Sequence, residues 1–470
     1  MVTERVRSLN DRPVNRHGEY VLYWAQMNRR ARCNHALGHA IDLANSHQLP
    51  LLVYEGLTCS YPHANDRLHT FILEGVPDNA QDFRALGAGY LFHLRRRQAD
   101  PNNALFRLAE RAAAVVTDDY PTFVSTRWNP SLAAKVACPY LVVDSSCIVP
   151  MQKHVKREYA AYTIRPKIQK LLPQYLQPYS MPQLIKSWSG PVPAAELHLE
   201  VTAAEIPELV ASCEIDHSIA PSLSYRGGPQ AAAQHLQHFV SRNLKRYAEG
   251  RNEPSEHATS NMSPYLHFGH ISSLELALTV REAAIQQGGS ADEYLEELIV
   301  RRELAFNYAR WVERADTMCN LPEWAKKTLR EHSCDPRQPS YTREQFERAA
   351  THDNLWNACQ KEMRLRGKIH GYYRMYWGKK IIEWSPTCQH ALEAMVYLHD
   401  RYALDGRDPN TYTNILWCFG LHDRPWTERP VFGQIRWMSL DGMKRKTDVD
   451  AYLKEIEFLE RTGKDPFRLP

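Results

Sequence analysis

No apolar run in this 470-residue chain approaches the ~18 residues that a membrane-spanning helix needs. Its opening, MVTERVRSLNDRP, also lacks the apolar stretch of a secretory leader. Both absences argue against a helical membrane body and predict an intracellular protein, cytoplasmic or, in a eukaryote, nuclear or organellar. Cys-x-x-Cys does not occur among the ten cysteines, so neither a disulfide framework nor a paired-cysteine zinc site is indicated, and reduced thiols are expected. His-Glu-x-x-His, Gly-x-Ser-x-Gly and Gly-x-x-x-x-Gly-Lys are missing too, which removes the zinc-peptidase, serine-hydrolase and phosphate-loop readings. Gly87 and Gly89 make a lone Gly-x-Gly without the third glycine of a dinucleotide fingerprint. Charge of one sign is scarce as well: 58 Lys and Arg against 54 Asp and Glu leave +4, too little to indicate a polyanionic partner by itself.

What the chain has is length for two or three domains, and two contrasting textures. In the first third, short apolar runs rich in β-branched and aromatic residues, Tyr20 to Ala25, Pro50 to Leu57, Tyr90 to Leu94, Ala113 to Thr117 and Tyr140 to Asp144, read as buried strands. Between them, Cys33, Leu37, Ala40, Ile41 and Ala44, and later Leu105, Leu108, Ala109 and Ala112, repeat at helical spacing. Strand and helix in alternation predict a parallel α/β sheet, Rossmann-like, over residues 1–160. Prolines then break the pattern, and 161–225 reads as a connector. From 226 to 470 helical signals dominate and an all-α domain is expected. No internal repeat or low-complexity tract interrupts it.

Six of the eleven tryptophans, at 356, 377, 384, 417, 426 and 437, fall late in the helical half. For any one of them, core packing is the simplest account. Trp377 and Trp384 lie seven residues apart, two helical turns, on a face shared with Arg374 and Ile381. An arginine on such a stripe needs a partner if it is buried, and Asp405 or Asp408 in the turn-forming Asp-Gly-Arg-Asp-Pro-Asn is the candidate. Glu297 and Arg301 have the i,i+4 spacing of a solvated helical ion pair, whereas a carboxylate pointing into an apolar pocket would have a raised pKa. Between 424 and 446 six basic side chains face two acidic ones, with Trp426 and Trp437 interleaved, a pattern suited to phosphates and bases.

These motifs, in order, resemble one family. Ser260-Asn-Met-Ser-Pro-Tyr-Leu-His-Phe-Gly-His-Ile271, LEELIVRREL, Leu355-Trp-Asn-Ala, Gly367-Lys-Ile-His-Gly-Tyr-Tyr-Arg-Met-Tyr-Trp377, Asp405-Gly-Arg-Asp-Pro-Asn410 and Glu428-Arg-Pro-Val-Phe-Gly433 are similar to the class II cyclobutane pyrimidine dimer photolyases. VLYWAQMNRRARCNHAL and Arg157 to Lys167 extend the likeness toward the N-terminus. The resemblance implies an antenna domain that can carry a second chromophore of deazaflavin or folate type, and a helical domain enclosing FAD. It also implies a monomer whose partner is double-stranded DNA with a pyrimidine dimer flipped out for repair.

Site roles follow from the resemblance alone. Tyr247, Ser260, Asn261, Met262 and Ser263 match the FAD-phosphate and ribityl segment, and Arg374 and Asp405 match a salt bridge beside the isoalloxazine. Trp377, Trp356 and Trp384 match the electron-transfer tryptophans, with Tyr376 as an auxiliary donor. Glu297 matches the acid that hydrogen-bonds the dimer. Trp417 is expected to pack on the extruded dimer, and Arg251, Arg424, Trp426 and Arg436 to hold the duplex side.

Three departures stand out. Leu398-His399-Asp400 replaces the family's Leu-Asn-Asp facing the flavin N5, so flavin redox behaviour is expected to differ. The turn between Trp417 and His422 is one residue short, and Asp144-Ser-Ser-Cys-Ile-Val-Pro150 replaces Asp-Ala-His-Asn before Val-Pro. The expected function is light-dependent splitting of cyclobutane dimers. A cryptochrome-like sensor without repair is the alternative, and a flavin-free nucleic-acid-binding helical protein is a weaker third reading.

Overall fold

The computed structural model describes residues 3–469. Six strands form one sheet: β1 (Val6–Ser8), β2 (Tyr20–Trp24), β3 (Leu51–Thr58), β4 (Gly89–Arg95), β5 (Ala112–Asp118) and β6 (Tyr140–Val143), in the order β1-β6-β5-β2-β3-β4. All pairs are parallel except β1 with β6. The five apolar runs are the five parallel strands; β1, three residues long and only half-buried, carries no apolar run to mark it. Along β2 the side chains alternate between two cores. Val21 and Tyr23 pack with the helix His35–Ser46, while Tyr20, Leu22 and Trp24 pack with Leu105, Leu108 and Ala133 on the other face. Covering both faces is what makes the strand apolar throughout.

Strand order reverses between β2 and β5, the position at which open α/β sheets leave a crevice. Here Asp118 closes much of it, accepting from the Met27 and Asn28 amides at 2.7 and 2.9 Å. Asp144 acts similarly in the departing loop, taking the amides of Ser146, Cys147 and Met151 at 2.9–3.0 Å. That carboxylate-centred turn gives the Asp-Ser-Ser-Cys segment a structural role. Glu303 completes the dock from the helical half, its Oε1 accepting from Ile148 and Val149 at 2.6 and 3.2 Å. Burial holds Glu303 up at about 8.

The expected proline-broken connector departs from the sequence reading. A helix runs through Ala161–Tyr175 with Pro166 and Pro173 inside it. Both prolines lie on its exposed face, while Ile164, Ile168 and Tyr175 are buried, so the carbonyls left without an intrahelical donor can turn to water. Beyond 225 helices dominate, and two buried arginines tie them to the sheet. Arg67 donates to the carbonyls of Ala220, Met363 and Tyr402 at 2.8–3.1 Å, and Arg30 to those of Ser145 and Gly269 at 3.0 Å. Gly269 has φ +67° and the Met27 carbonyl 2.1 Å from where a Cβ would sit, so no other residue fits that crossing.

Candidate active site

Two successive helices place the centre of the site. Asp353 caps Asn354–Arg366, accepting from the Trp356 amide at 3.0 Å, and its other oxygen takes the Tyr376 hydroxyl. Gly367, at φ +81°, ends that helix in the left-handed conformation and releases Lys368-Ile369-His370, as a C-terminal glycine does. His370 then caps Gly371–Trp384 through Nδ1, which accepts from the Tyr372 amide at 3.3 Å. This chain path leaves a cavity of ≈ 490 Å³ among the helices.

Its walls gather most of the residues singled out from the sequence: Tyr247, Arg251, Ser260, Asn261, Met262, Ser263, Glu297, Arg374, Trp377, His399, Asp405, Trp417 and Arg436. Arg374 donates from one nitrogen to both oxygens of Asp405 at 3.0 Å, and the Ser263 hydroxyl adds a bond at 2.7 Å. Burial alone would raise the Asp405 pKa; the charges of Arg374 and Lys368 and the Ser263 bond reverse this and hold it well below the carboxylate range. Asp408, the other candidate, instead caps Pro409–Trp417 and takes the Tyr120 hydroxyl at 2.6 Å.

Trp356 and Trp384 do not line the cavity; they stand behind Trp377. Trp377 and Trp356 are near-parallel, 5° apart with centroids at 6.2 Å, and Trp356 meets Trp384 edge-on at 6.3 Å. All three are at most 3% exposed. Exposed His352 lies 4.8 Å from Trp384, so the row runs from cavity wall to within one ring of solvent. Tyr376 points away, to Asp353.

At the mouth the expected Glu297–Arg301 pair does not form. Residues Glu296–Arg301 are π-helical, which brings i,i+5 partners together: Arg301 reaches Glu296 at 3.4 Å, and Glu297 turns to Arg251 at 3.3 Å. The Glu297 carboxylate is 47% exposed and so does not sit in an apolar pocket. Arg424 and Trp426 lie outside the cavity lining but continue it from Arg436, with both guanidinium carbons about 5 Å from the Trp426 ring, at 5.2 and 5.1 Å.

The sequence reading missed Lys368 and His370, although both sit inside a quoted motif. Lys368 donates to Asn261 Oδ1 at 3.0 Å, an Asn held at φ +56°. His399 was flagged, and its geometry is specific. Nδ1 lies 3.0 Å from the Met395 carbonyl, which can only accept, so Nδ1 carries the proton and Nε2 is an acceptor. Burial first, then the Arg374 charge, lowers its pKa to about 3. Three buried wall atoms have no protein partner: the acceptor His399 Nε2, and the donors Arg374 Nε and His370 Nε2. Buried polar atoms are normally bonded. A large planar ligand with donors and acceptors on its edge would satisfy them, and FAD fits that description.

Comparison with known proteins finds the relatives of the chain among DNA photolyases. The family model for DNA photolyase matches residues 21–183. The deoxyribodipyrimidine photo-lyase of Methanothermobacter thermautotrophicus is 41% identical, over 97% of this chain and 98% of that one. Its counterpart in Arabidopsis thaliana is 35% identical over 93% and 89%, and that of Potorous tridactylus 34% over 96% and 84%. Among solved structures, a Synechocystis cryptochrome superposes with TM-score 0.70 at 16% identity, covering 93% and 89%. A class III photolyase from Agrobacterium tumefaciens gives 0.65 at 16%, covering 96% and 90%. At such identities the two structures speak for the fold: an α/β domain joined to a helical one.

Proposed function

The chain belongs to the DNA photolyase family, and from that premise we propose that it splits cyclobutane pyrimidine dimers in double-stranded DNA under blue light, as a monomer, with FAD in the helical cavity. One observation carries this: a single cavity has unsatisfied buried polar atoms on its wall, a tryptophan row behind that wall, and Glu297, Trp417 and Arg436 at its mouth.

When bound, reduced FAD would supply the light-driven electron transfer for ring opening. The chain's own residues do the rest. Tyr247 and Ser260 to Ser263 hold the phosphate and ribityl part, with Lys368 adding a cation beside Asn261. Arg374 and Asp405 fix opposite charges in the buried cavity wall and would act on the bound cofactor there, where such a pair acts most strongly. His399 Nε2 would offer a bound flavin an acceptor only, where the family's amide offers a donor as well. Trp384, Trp356 and Trp377 relay electrons inward when the cofactor must be reduced. Glu297, released from Arg251 and acting as the acid, donates a hydrogen bond to the dimer's carbonyl and offsets the negative charge that the dimer gains, and Trp417 stacks on it. Arg251, Arg424, Trp426 and Arg436 hold phosphates and fill the opened duplex, which positions the strand without reading sequence. A second chromophore, deazaflavin or folate in type, is assigned to the sheet domain; Gln26 at the end of β2, with both side-chain polar atoms buried and unpartnered, supports a ligand there.

The test is to reconstitute the chain with FAD and illuminate it with a dimer-containing duplex. Equimolar bound flavin and dimer loss in light but not in darkness are expected. Bound, photoreducible flavin with no dimer loss would instead identify a sensor, and a colourless protein would remove both readings.

A further inference from the structure

Three consecutive residues of the helix Gly371–Trp384 meet the two sides of the site. Trp377 walls the cavity and heads the tryptophan row. Gly378 lets the end of the helix Pro409–Trp417 approach so closely that a Cβ would lie 2.8 Å from Cys418 Sγ. Lys379, 1% exposed, donates to the Cys418 carbonyl at 2.6 Å, its one hydrogen bond.

The bond falls where the turn after Trp417 needs it. The carbonyls of Asn414 and Ile415 take the Cys418 amide, that of Leu416 takes Phe419 and Leu421, and that of Trp417 takes Gly420, all at 2.9–3.3 Å. Cys418 O is the next in the series, and Lys379 satisfies it. A helix C-terminus carries partial negative charge that favours a cation. Even so, a buried ammonium without a carboxylate partner is costly. Burial lowers it to about 8. Packing gives no reason for a lysine here, since methionine would fill the space without desolvating a charge. The far side of the turn is held separately: Gly420, at φ +102°, abuts Ile435 and Trp324, and His422 Nδ1 donates to the Tyr159 carbonyl at 2.5 Å.

We infer that Lys379 is a positioning residue for lesion recognition: by bonding the Cys418 carbonyl it locks the turn after Trp417 to the helix that carries Trp377, and so sets where Trp417 stands relative to the cofactor cavity. This rests on the reading of Trp417 as a lesion contact. The lock has a direct consequence, because Lys379 touches neither cofactor nor duplex: losing it should alter the discrimination between damaged and undamaged DNA while sparing flavin binding and its photoreduction.

The experiment uses the FAD-loaded full chain and Lys379→Met, with anisotropy titrations of a dimer-containing and an undamaged duplex, plus repair per bound dimer. Expected are unchanged flavin content and photoreduction rate, unchanged affinity for undamaged duplex, and a preference for the dimer reduced about tenfold, as for loss of one charge-assisted bond. Lys379→Gln, which keeps a donor without the charge, should restore part of it. Should Lys379→Met fail to fold, the unsubstituted protein carries the test: its dimer preference should fall between pH 7 and pH 9. The groups facing Lys379 are Cys418, Asp423 and Arg436, and Lys379→Gln over the same range reports their contribution. A preference unchanged in Lys379→Met, or unchanged to pH 9, overturns the inference. No dimer preference in the unsubstituted protein would instead overturn the lesion-contact premise, and the inference with it.

Discussion

Two groups of three tryptophans lie within 82 residues of each other in the chain and do opposite things with the same ring. Trp356, Trp377 and Trp384 are buried, and the indole N–H groups of the first two are taken within the protein: Trp377 donates to Gln360 and Trp356 to the Trp377 carbonyl, each at 3.0 Å. Their rings meet other rings, although Lys380 also lies over Trp384 at 5.5 Å. Trp417, Trp426 and Trp437 are half-buried or exposed, and the last two meet cations: Arg424 and Arg436 lie over Trp426, Arg429 and Lys380 over Trp437. On the proposed function, ring against ring in a dry core suits a row for moving an electron, and ring against guanidinium at a rim suits phosphates and bases. The neighbours assign the role, and the residue type does not.

The sharpest way to break this division is Trp377→Phe. It should bring light-driven flavin reduction, followed by absorbance, close to background. The smaller ring leaves a gap in a fully buried site and strands the Gln360 Oε1 that the indole N–H had satisfied, together about 2–4 kcal/mol of stability, and duplex affinity should stay as it was. The converse is Trp426→Ala: photoreduction unchanged, but affinity for a dimer-containing duplex about tenfold weaker by anisotropy, as expected for one lost stacking platform. Between the two regions stands Glu297. For Glu297→Ala, flavin content should hold while repair quantum yield drops several-fold, by the loss of one bond to the dimer.

The smallest effect concerns acid. His399 titrates near 3 in the folded chain because it is buried beside Arg374, against about 6.5 when unfolded. Below about 6.5 the unfolded chain therefore takes up a proton that the folded one refuses, and stability falls as pH drops toward 3. His399→Asn removes that uptake, so the midpoint of acid unfolding should move to lower pH. The shift is small because His69, His235, His270, His370 and His422 are lowered in the same way, to about 3 or 4.

Much of this was legible beforehand, for physical reasons. Strands buried on both faces leave apolar runs, and all five parallel strands were marked by them. Asking what a buried arginine needs narrowed the partner of Arg374 to Asp405 or Asp408, and the family resemblance chose Asp405. Other features leave no pattern in a sequence. The π-helical segment at 296–301 shifts pairing from four residues to five, so Glu297 found Arg251 instead of Arg301. Pro166 and Pro173 read as breaks because sequence does not say which side of a helix faces water. Lys368 and Lys379 are single lysines in a chain with many; only the cavity wall and the Cys418 carbonyl single them out.

The central claim is that the inner tryptophans reduce the cofactor while the rim and cavity perform the repair, and it is tested by giving Trp377→Phe a chemically pre-reduced flavin and measuring single-turnover dimer loss after a flash. Repair at the rate of the unsubstituted protein, together with absent photoreduction from the oxidised state, is the predicted result. Loss of both together would contradict the division.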